Sequence, residues 1–355
     1  MNIGDRLKIA RRMAGLSLRD LSAEADVSAM AISKYENGQD VPGSAVLIRL
    51  SRALGVRVEY LLRPATVAIT AGPLYRRRAS LPVKEQEQIM AKTQEWIERR
   101  LDAESLFGAA PHFTLPEQID RCVARLSDVE RIAIDLRQAW DLGVDSIENL
   151  IEVLEERGIW VCQLAAHQDF DALTLWANDT IPVIVVKEGV PGDRQRFNLA
   201  HELSHLIMDL ADGVDENQAA NRFAGAFLVP RPTALREIGN SRHVLAPMEL
   251  HLLKHKYGIS MQAWVHRAAD LGVISPSAMR VMFQQFSRVG WRMTEPGDPI
   301  PAESSDRLGR LVLRAVAEDV ISPARASELL GMPLSSYQQM EAERHGNTLL
   351  ASLRS

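Results

Sequence analysis

Cysteine is nearly absent: the 355 residues include two, Cys122 and Cys162. A disulfide framework is thereby excluded, and neither cysteine stands in a Cys-x-x-Cys zinc spacing. Both are expected to be small buried apolar residues. Long apolar runs are lacking as well. No stretch approaches the roughly 20 apolar residues of a membrane span, and the opening MNIGDRLKIARRMAG carries charges where a secretory signal needs an apolar core. These absences point to a cytoplasmic protein with no membrane partner. The composition that remains, 46% hydrophobic and 25% charged, is that of a globular chain long enough for two or three domains.

Charge is unevenly spread. Residues 1–65 carry 10 Lys and Arg against 7 Asp and Glu, a balance of +3, which leaves −8 for the rest of the −5 total. The basic end is the candidate for a polyanionic partner. It breaks into five short helical patterns separated by turn signals at Gly15, Asp26, 38–43 and Gly55. Leu21, Ile32, Leu47, Leu50, Leu54 and Leu61 are among the apolar positions that supply a shared core. Ser17 is a natural N-cap for the second helix, with Asp20 as its acidic first-turn partner, and Ser28 caps the third.

The run LSLRDLSAEADVSAMAISKYENGQDVP resembles the helix-turn-helix of the lambda-repressor-like (XRE, Cro/cI) family. That resemblance implies a third helix lying in the major groove, so that Ser28, Ala29, Met30, Ser33 and Lys34 meet DNA, with Asn37 at the sugar-phosphate chain. It also implies a homodimer on a palindromic operator. The family usually has a Gln at the start of the second helix; here that position is Leu18.

Residues 66–115 read as a connector, with a strand over 66–70, a basic cluster Arg76, Arg77 and Arg78, and a long helix over 83–106 that spaces the two functional parts. Residues 108–116, with two prolines and a glycine, read as a linker. A second domain over 116–290 opens with helices over 129–142 and 146–157. Three strands follow over 159–164, 173–177 and 182–187, the last two joined by a turn at Asn178 and Asp179. An edge strand in such a sheet can hold an extended peptide. Residues 291–355 form a helical tail beyond a Pro- and Gly-bearing linker at 296–301. Its helix-turn-helix rhythm fits either an interaction unit or a cap on the second domain.

The chemistry is concentrated in DRQRFNLAHELSHLIMDL, residues 193–210. On a helix, Leu199, Leu203, Leu206 and Leu210 form one apolar stripe, while His201 and His205 project together from nearly the opposite side. Two imidazoles four residues apart can take two corners of a zinc tetrahedron. Glu202 is then placed as general base to take a proton from water held at the metal. On the next helix, over 216–228, Glu216 shares a face with Ala220, Phe223 and Phe227. A carboxylate in that line calls for a cation, which selects Glu216 as third zinc ligand, whereas Asp215 falls beside Arg222 as an ion pair. A second pair, His251 and His255, lacks an intervening Glu and is flanked by Lys254 and Lys256; it reads as a solvated face. His243 lies in a polar loop and is a candidate electrophile for stabilising an oxyanion.

RFNLAHELSHLIM followed by ANRFAGAFLVP resembles the ImmA/IrrE family of metallopeptidases, which frequently carry an N-terminal lambda-repressor-like domain. The resemblance implies His201 and His205 as ligands, Glu202 as base and a Glu of the second motif completing a Zn2+ site. In that family the Glu stands four residues before the Asn, a position that is Asn217 here. The expected fold is mainly α with a small β-sheet (α+β): a five-helix helix-turn-helix domain, a zincin-like metallopeptidase domain and a C-terminal helical tail. The expected function is a DNA-binding regulator that cleaves a repressor-type partner. The alternative is a regulator whose zincin-like domain senses a metal or ligand without hydrolysis.

Overall fold

The computed structural model describes residues 3–71, 81–108 and 112–352; the basic cluster at 76–78 lies outside them. Five short helices form the N-terminal unit: α1 (Ile3–Met13), α2 (Leu18–Ala25), α3 (Ala29–Glu36), α4 (Ser44–Ala53) and α5 (Val58–Leu62). None could persist alone at 5 to 11 residues. They hold together by burying Leu7, Leu21, Ile32, Leu50 and Leu61 completely. The α2 entrance is a reciprocal capping box: Asp20 N donates to Ser17 Oγ at 3.1 Å and Ser17 N to Asp20 Oδ2 at 2.8 Å. Ser28 accepts from Ala31 N and starts α3.

A short strand β1 (Ile69–Ala71) leads toward the 23-residue helix α6 (Val83–Ser105). Many of this helix's charges are buried, so it is not the solvated spacer that its composition suggests. Arg6 of α1, 1% exposed, donates to Glu98 at 2.5 Å and Glu95 at 3.4 Å. Farther along, Arg100 bonds Glu104 and Glu155, and Arg307 reaches Glu104 through two hydrogen bonds. A buried charge is tolerated only with such partners. Three partners surround α6: the N-terminal unit, the sheet and the tail.

After β2 (Cys122–Val123) and helices α7 (Asp128–Ala139) and α8 (Leu150–Glu156) come β3 (Trp160–Leu164), β4 (Ala172–Ala177) and β5 (Ile181–Lys187). The sheet order is β1-β4-β5-β3, with β3 parallel to β5 and the other two pairs antiparallel. Asn178 and Asp179 turn the β4–β5 hairpin with φ of 50° and 55°, the conformation of a tight type I′ connection. Alternation then divides the sheet. Val161, Ala172, Ile184 and Val186 face the core containing Leu199 and Leu203, while Trp160, Cys162, Leu173, Leu175 and Val185 face Ile89 and Ile97 of α6. Cys162 is buried as expected, whereas Cys122 is exposed, at the start of a two-residue strand.

The helix α9 (Gly192–Ile207) lies on this sheet, followed by β6 (Asp209–Leu210), α10 (Glu216–Leu228), α11 (Arg231–Ile238), α12 (Pro247–Tyr257), α13 (Met261–Asp270) and α14 (Pro276–Arg288). The α9 helix ends earlier than its apolar spacing implies. Met208 turns extended, and Asp209 and Leu210 pair with Cys122 and Val123, so Leu210 leaves the stripe.

The stretch read as a linker at 296–301 belongs to a strap. Glu295 accepts from Met261 N, Gln262 N and Lys254 Nζ, and Ile300 O accepts from Gly192 N. Glu303 accepts from Leu150 N and Ile151 N and pairs with Arg196. A Cβ at Gly192 would stand 2.1 Å from Pro301 O, so only glycine lets the strap reach the start of α9. The tail helices α15 (Arg307–Ala317), α16 (Pro323–Leu330) and α17 (Leu334–Ser352) pack around Ala103 of α6 through Val312, Ala326, Leu329 and Tyr337. Arg57–Glu328 and Arg325–Asp102 ion pairs add links to the N-terminal unit and to α6.

Candidate metal centre and nucleic-acid interface

Leu199, Leu203 and Leu206 are buried beneath α9, which turns His201 and His205 toward an open cleft. Their ring centroids are 5.2 Å apart. Among the described residues, His201, Glu202 and His205 form the one group of three potential metal donors, with atoms within 4.8 Å of one another. Glu202 is 4% exposed, and Thr174 of β4 donates its hydroxyl to Glu202 Oε2 at 2.9 Å. The sheet thus fixes the carboxylate beside the histidines.

The neighbouring helix α10 brings a polar side chain to each imidazole. Asn221 Oδ1 lies 3.0 Å from His201 Nδ1, and Glu216 Oε1 lies 3.6 Å from His205 Nδ1. With its Nδ1–H donated to Asn221, the His201 ring presents the Nε2 lone pair, the usual arrangement behind a metal-binding histidine; the Glu216 contact to His205 is an ion-pair distance and not a hydrogen bond. Two imidazoles and nearby carboxylates form a donor set suited to zinc, and the exposed cleft leaves access for water and a substrate. Asp209, Asp212, Asp215, Glu216 and Asn217 line its rim.

The sequence-predicted residues are distributed as follows. His201, Glu202 and His205 converge, while Glu216 stands outside their donor group, next to His205 alone. Its side chain is 35% exposed because it opens the first turn of α10, so burial beside Phe223 and Phe227 is not what governs it. Asp215 does not pair with Arg222; it caps α10 by accepting from Gln218 N, and Arg222 lies 3.6 Å from Glu130. Thr174 and Asn221 were not singled out from the sequence. Asn221 stands within the second motif, but Thr174 comes from a strand 28 residues before Glu202 and carries no local signal.

His243 is exposed and does not line the cleft. His251 and His255 face each other on α12 with ring centroids 4.7 Å apart. Between them Lys254 is buried, paired with Asp193 at 3.1 Å and Glu295 at 3.0 Å, so its charge is neutralised rather than repelling a cation. What this pair lacks is a third donor.

On α3, Ser28, Met30, Lys34 and Asn37 are exposed, Met30 by 72%, while Ala29 and Ser33 are half-buried. Ser28 Oγ is engaged in its cap and Asn37 Nδ2 donates to Ser33 Oγ at 3.4 Å. Leu18 packs against the core of the unit, which accounts for an apolar residue at that position.

Residues 7–61 match the family described as Helix-turn-helix, and residues 154–269 match the family described as IrrE N-terminal-like domain, a peptidase family. The two matches, each over part of the chain, set a helix-turn-helix ahead of an IrrE N-terminal-like domain. The IrrE N-terminal-like match takes in β3 to β5, α9 and α10, and so the whole histidine cleft. The fused order is the one that the sequence resemblance implied, and the fold is α+β. No curated protein matches the chain. Among the described residues no helix is long and apolar enough to cross a membrane.

Proposed function

We propose that this protein is a cytoplasmic DNA-binding regulator whose zinc-dependent metallopeptidase domain cleaves a repressor-type protein partner and so changes transcription. The observation that carries the reading is the convergence of His201, His205 and Glu202, with the Glu202 carboxylate held by Thr174. His201 and His205 would hold zinc, with Glu216 at the cleft rim as the third ligand. Zinc supplies Lewis-acid chemistry: it polarises a carbonyl and acidifies water. Glu202 accepts the proton from water and returns it to the leaving amine, with the Thr174 hydroxyl keeping the carboxylate in place between the two transfers. The helix-turn-helix, as a homodimer, reads a palindromic operator through Ser28, Ala29, Met30, Ser33 and Lys34, with Asn37 at the backbone.

A second reading, a metal or ligand sensor without hydrolysis, is favoured by one observation: Glu216 lies on the Nδ1 side of His205, where a carboxylate orients a ligand instead of binding metal. One experiment separates the two. The zinc-loaded protein, co-expressed with a helix-turn-helix repressor, should generate a cut repressor detectable by mass spectrometry. Glu202→Gln should keep its metal and leave the partner whole. Equal regulation by wild type and Glu202→Gln, with loss only in His201→Ala, would replace the peptidase with the sensor.

A further inference from the structure

The strand that touches the catalytic Glu202 is β4, and β4 has two sides. One side pairs with β5; the other pairs with β1, which comes from the segment between the helix-turn-helix and α6. The register is Ile69↔Ala177, Thr70↔Trp176 and Ala71↔Leu175, which ends one residue from Thr174, the contact of Glu202. A polypeptide approaching the cleft along β4 would need the same main-chain groups that β1 occupies.

β1 is lightly held. Its described part is Ile69–Ala71, with Thr70 and the preceding Ala68 exposed and Ile69 half-buried. Its further bonds lie at the surface: Asn178 N to Ala68 O at 2.9 Å, Ala68 N to Asn178 Oδ1 at 3.0 Å, and Thr70 Oγ1 to Asp179 Oδ1 at 2.8 Å. Water replaces such bonds at small net cost. The strand is also on a short tether. Arg6 donates to Arg63 O and Pro64 O, so four residues, 65–68, separate the helix-turn-helix anchor from β1. Fully extended, they span no more than about 14 Å, so the N-terminal unit stays close to β1, with Val67 anchored on α6 between the two.

We infer that β1 is an internal occupant of the substrate edge of β4, and that an extended polypeptide engages the cleft only by displacing it. This rests on the peptidase reading, and it adds a regulatory contact between the DNA-binding unit and the cleft. The test uses the full chain with Ile69→Cys and Ala177→Cys, a directly opposed pair, in a Cys122→Ser background; Cys162 lies on β3, beyond β4 and β5, and cannot interfere. Glu202→Gln is added so that binding is read without cleavage. The probe is a fluorescein-labelled unfolded casein, followed by anisotropy. Oxidation should weaken binding at least tenfold and reduction should restore it, while Thr70→Pro, which loosens β1, should tighten binding at least tenfold. Equal binding by oxidised and reduced protein, or no casein binding by any form, overturns the inference. If binding follows β1 as expected but zinc-loaded protein with native Glu202 leaves casein intact, the peptidase reading fails and the edge assignment stands.

Discussion

Helices α9 and α12 carry the same four-residue histidine spacing in opposite surroundings. The rings of His201 and His205 open onto a cleft beside the Glu202 carboxylate, fixed by Thr174. The rings of His251 and His255 are closer together, but His251 is pressed under the strap: a Cβ at Gly297 would lie 2.3 Å from its Cε1, and its Nδ1 is buried without a hydrogen-bond partner. The polar residue beside this second pair, Lys254, is devoted to packing. Spacing puts two imidazoles on one helix face. The residues brought in from elsewhere decide whether that face can hold a cation or serves to fasten a loop.

The largest effect that sharpens this contrast is on stability. Lys254→Met leaves Asp193 and Glu295 buried without their cation and should destabilise the fold by about 3–5 kcal/mol, measured by urea unfolding, with metal content unchanged. Burial pulls the Lys254 pKa down, but the Glu295 hydrogen bond and the Asp193 charge outweigh it and hold the pKa above its ordinary 10.5. A raised lysine pKa stabilises fully below the unfolded value and is lost as pH rises through the folded one. The wild-type Tm should therefore fall more steeply than that of Lys254→Met above about pH 10.5.

Next in size is the loss of the hydroxyl that holds Glu202. A hydrogen bond to a charged group is worth about 1.5–3 kcal/mol, so Thr174→Val should lower turnover of a cleaved partner by about 10- to 100-fold at unchanged zinc content. A Thr174→Ser variant should recover most of it. Asn221→Ala, which frees the far side of His201, should weaken zinc binding by about 10-fold in a competition titration, whereas His255→Ala should leave it untouched. The smallest effect concerns DNA: Lys34→Ala should weaken binding alike on all sequences and lower the salt slope by about one.

The same contrast explains what could be read from the sequence. Local signals held: Ser17 with Asp20, Ser28, the Asn178–Asp179 turn, and His201, Glu202 and His205 all sit where short-range spacing puts them. Features set by distant parts of the chain were not legible. The shortened end of α9 depends on β2, 86 residues before Asp209 at its nearest. The charges of α6 look solvated until Arg6, Glu155 and Arg307 are brought against them. Glu216 was selected by a burial argument that fails because a first-turn residue reaches solvent, and the same Glu remains next to His205 for another geometric reason. Likewise, the prolines and Gly297 of the strap carry ordinary linker composition, and only Glu295 and Glu303 at helix starts reveal its fastening role.

The most direct measurement of the central claim is zinc stoichiometry in the purified full-length protein and in two single variants, one from each histidine pair. Wild type and His251→Ala should each hold about one zinc per chain, and His201→Ala none. Zinc retained by His201→Ala, or lost from a folded His251→Ala, would contradict the assignment of the metal centre to α9.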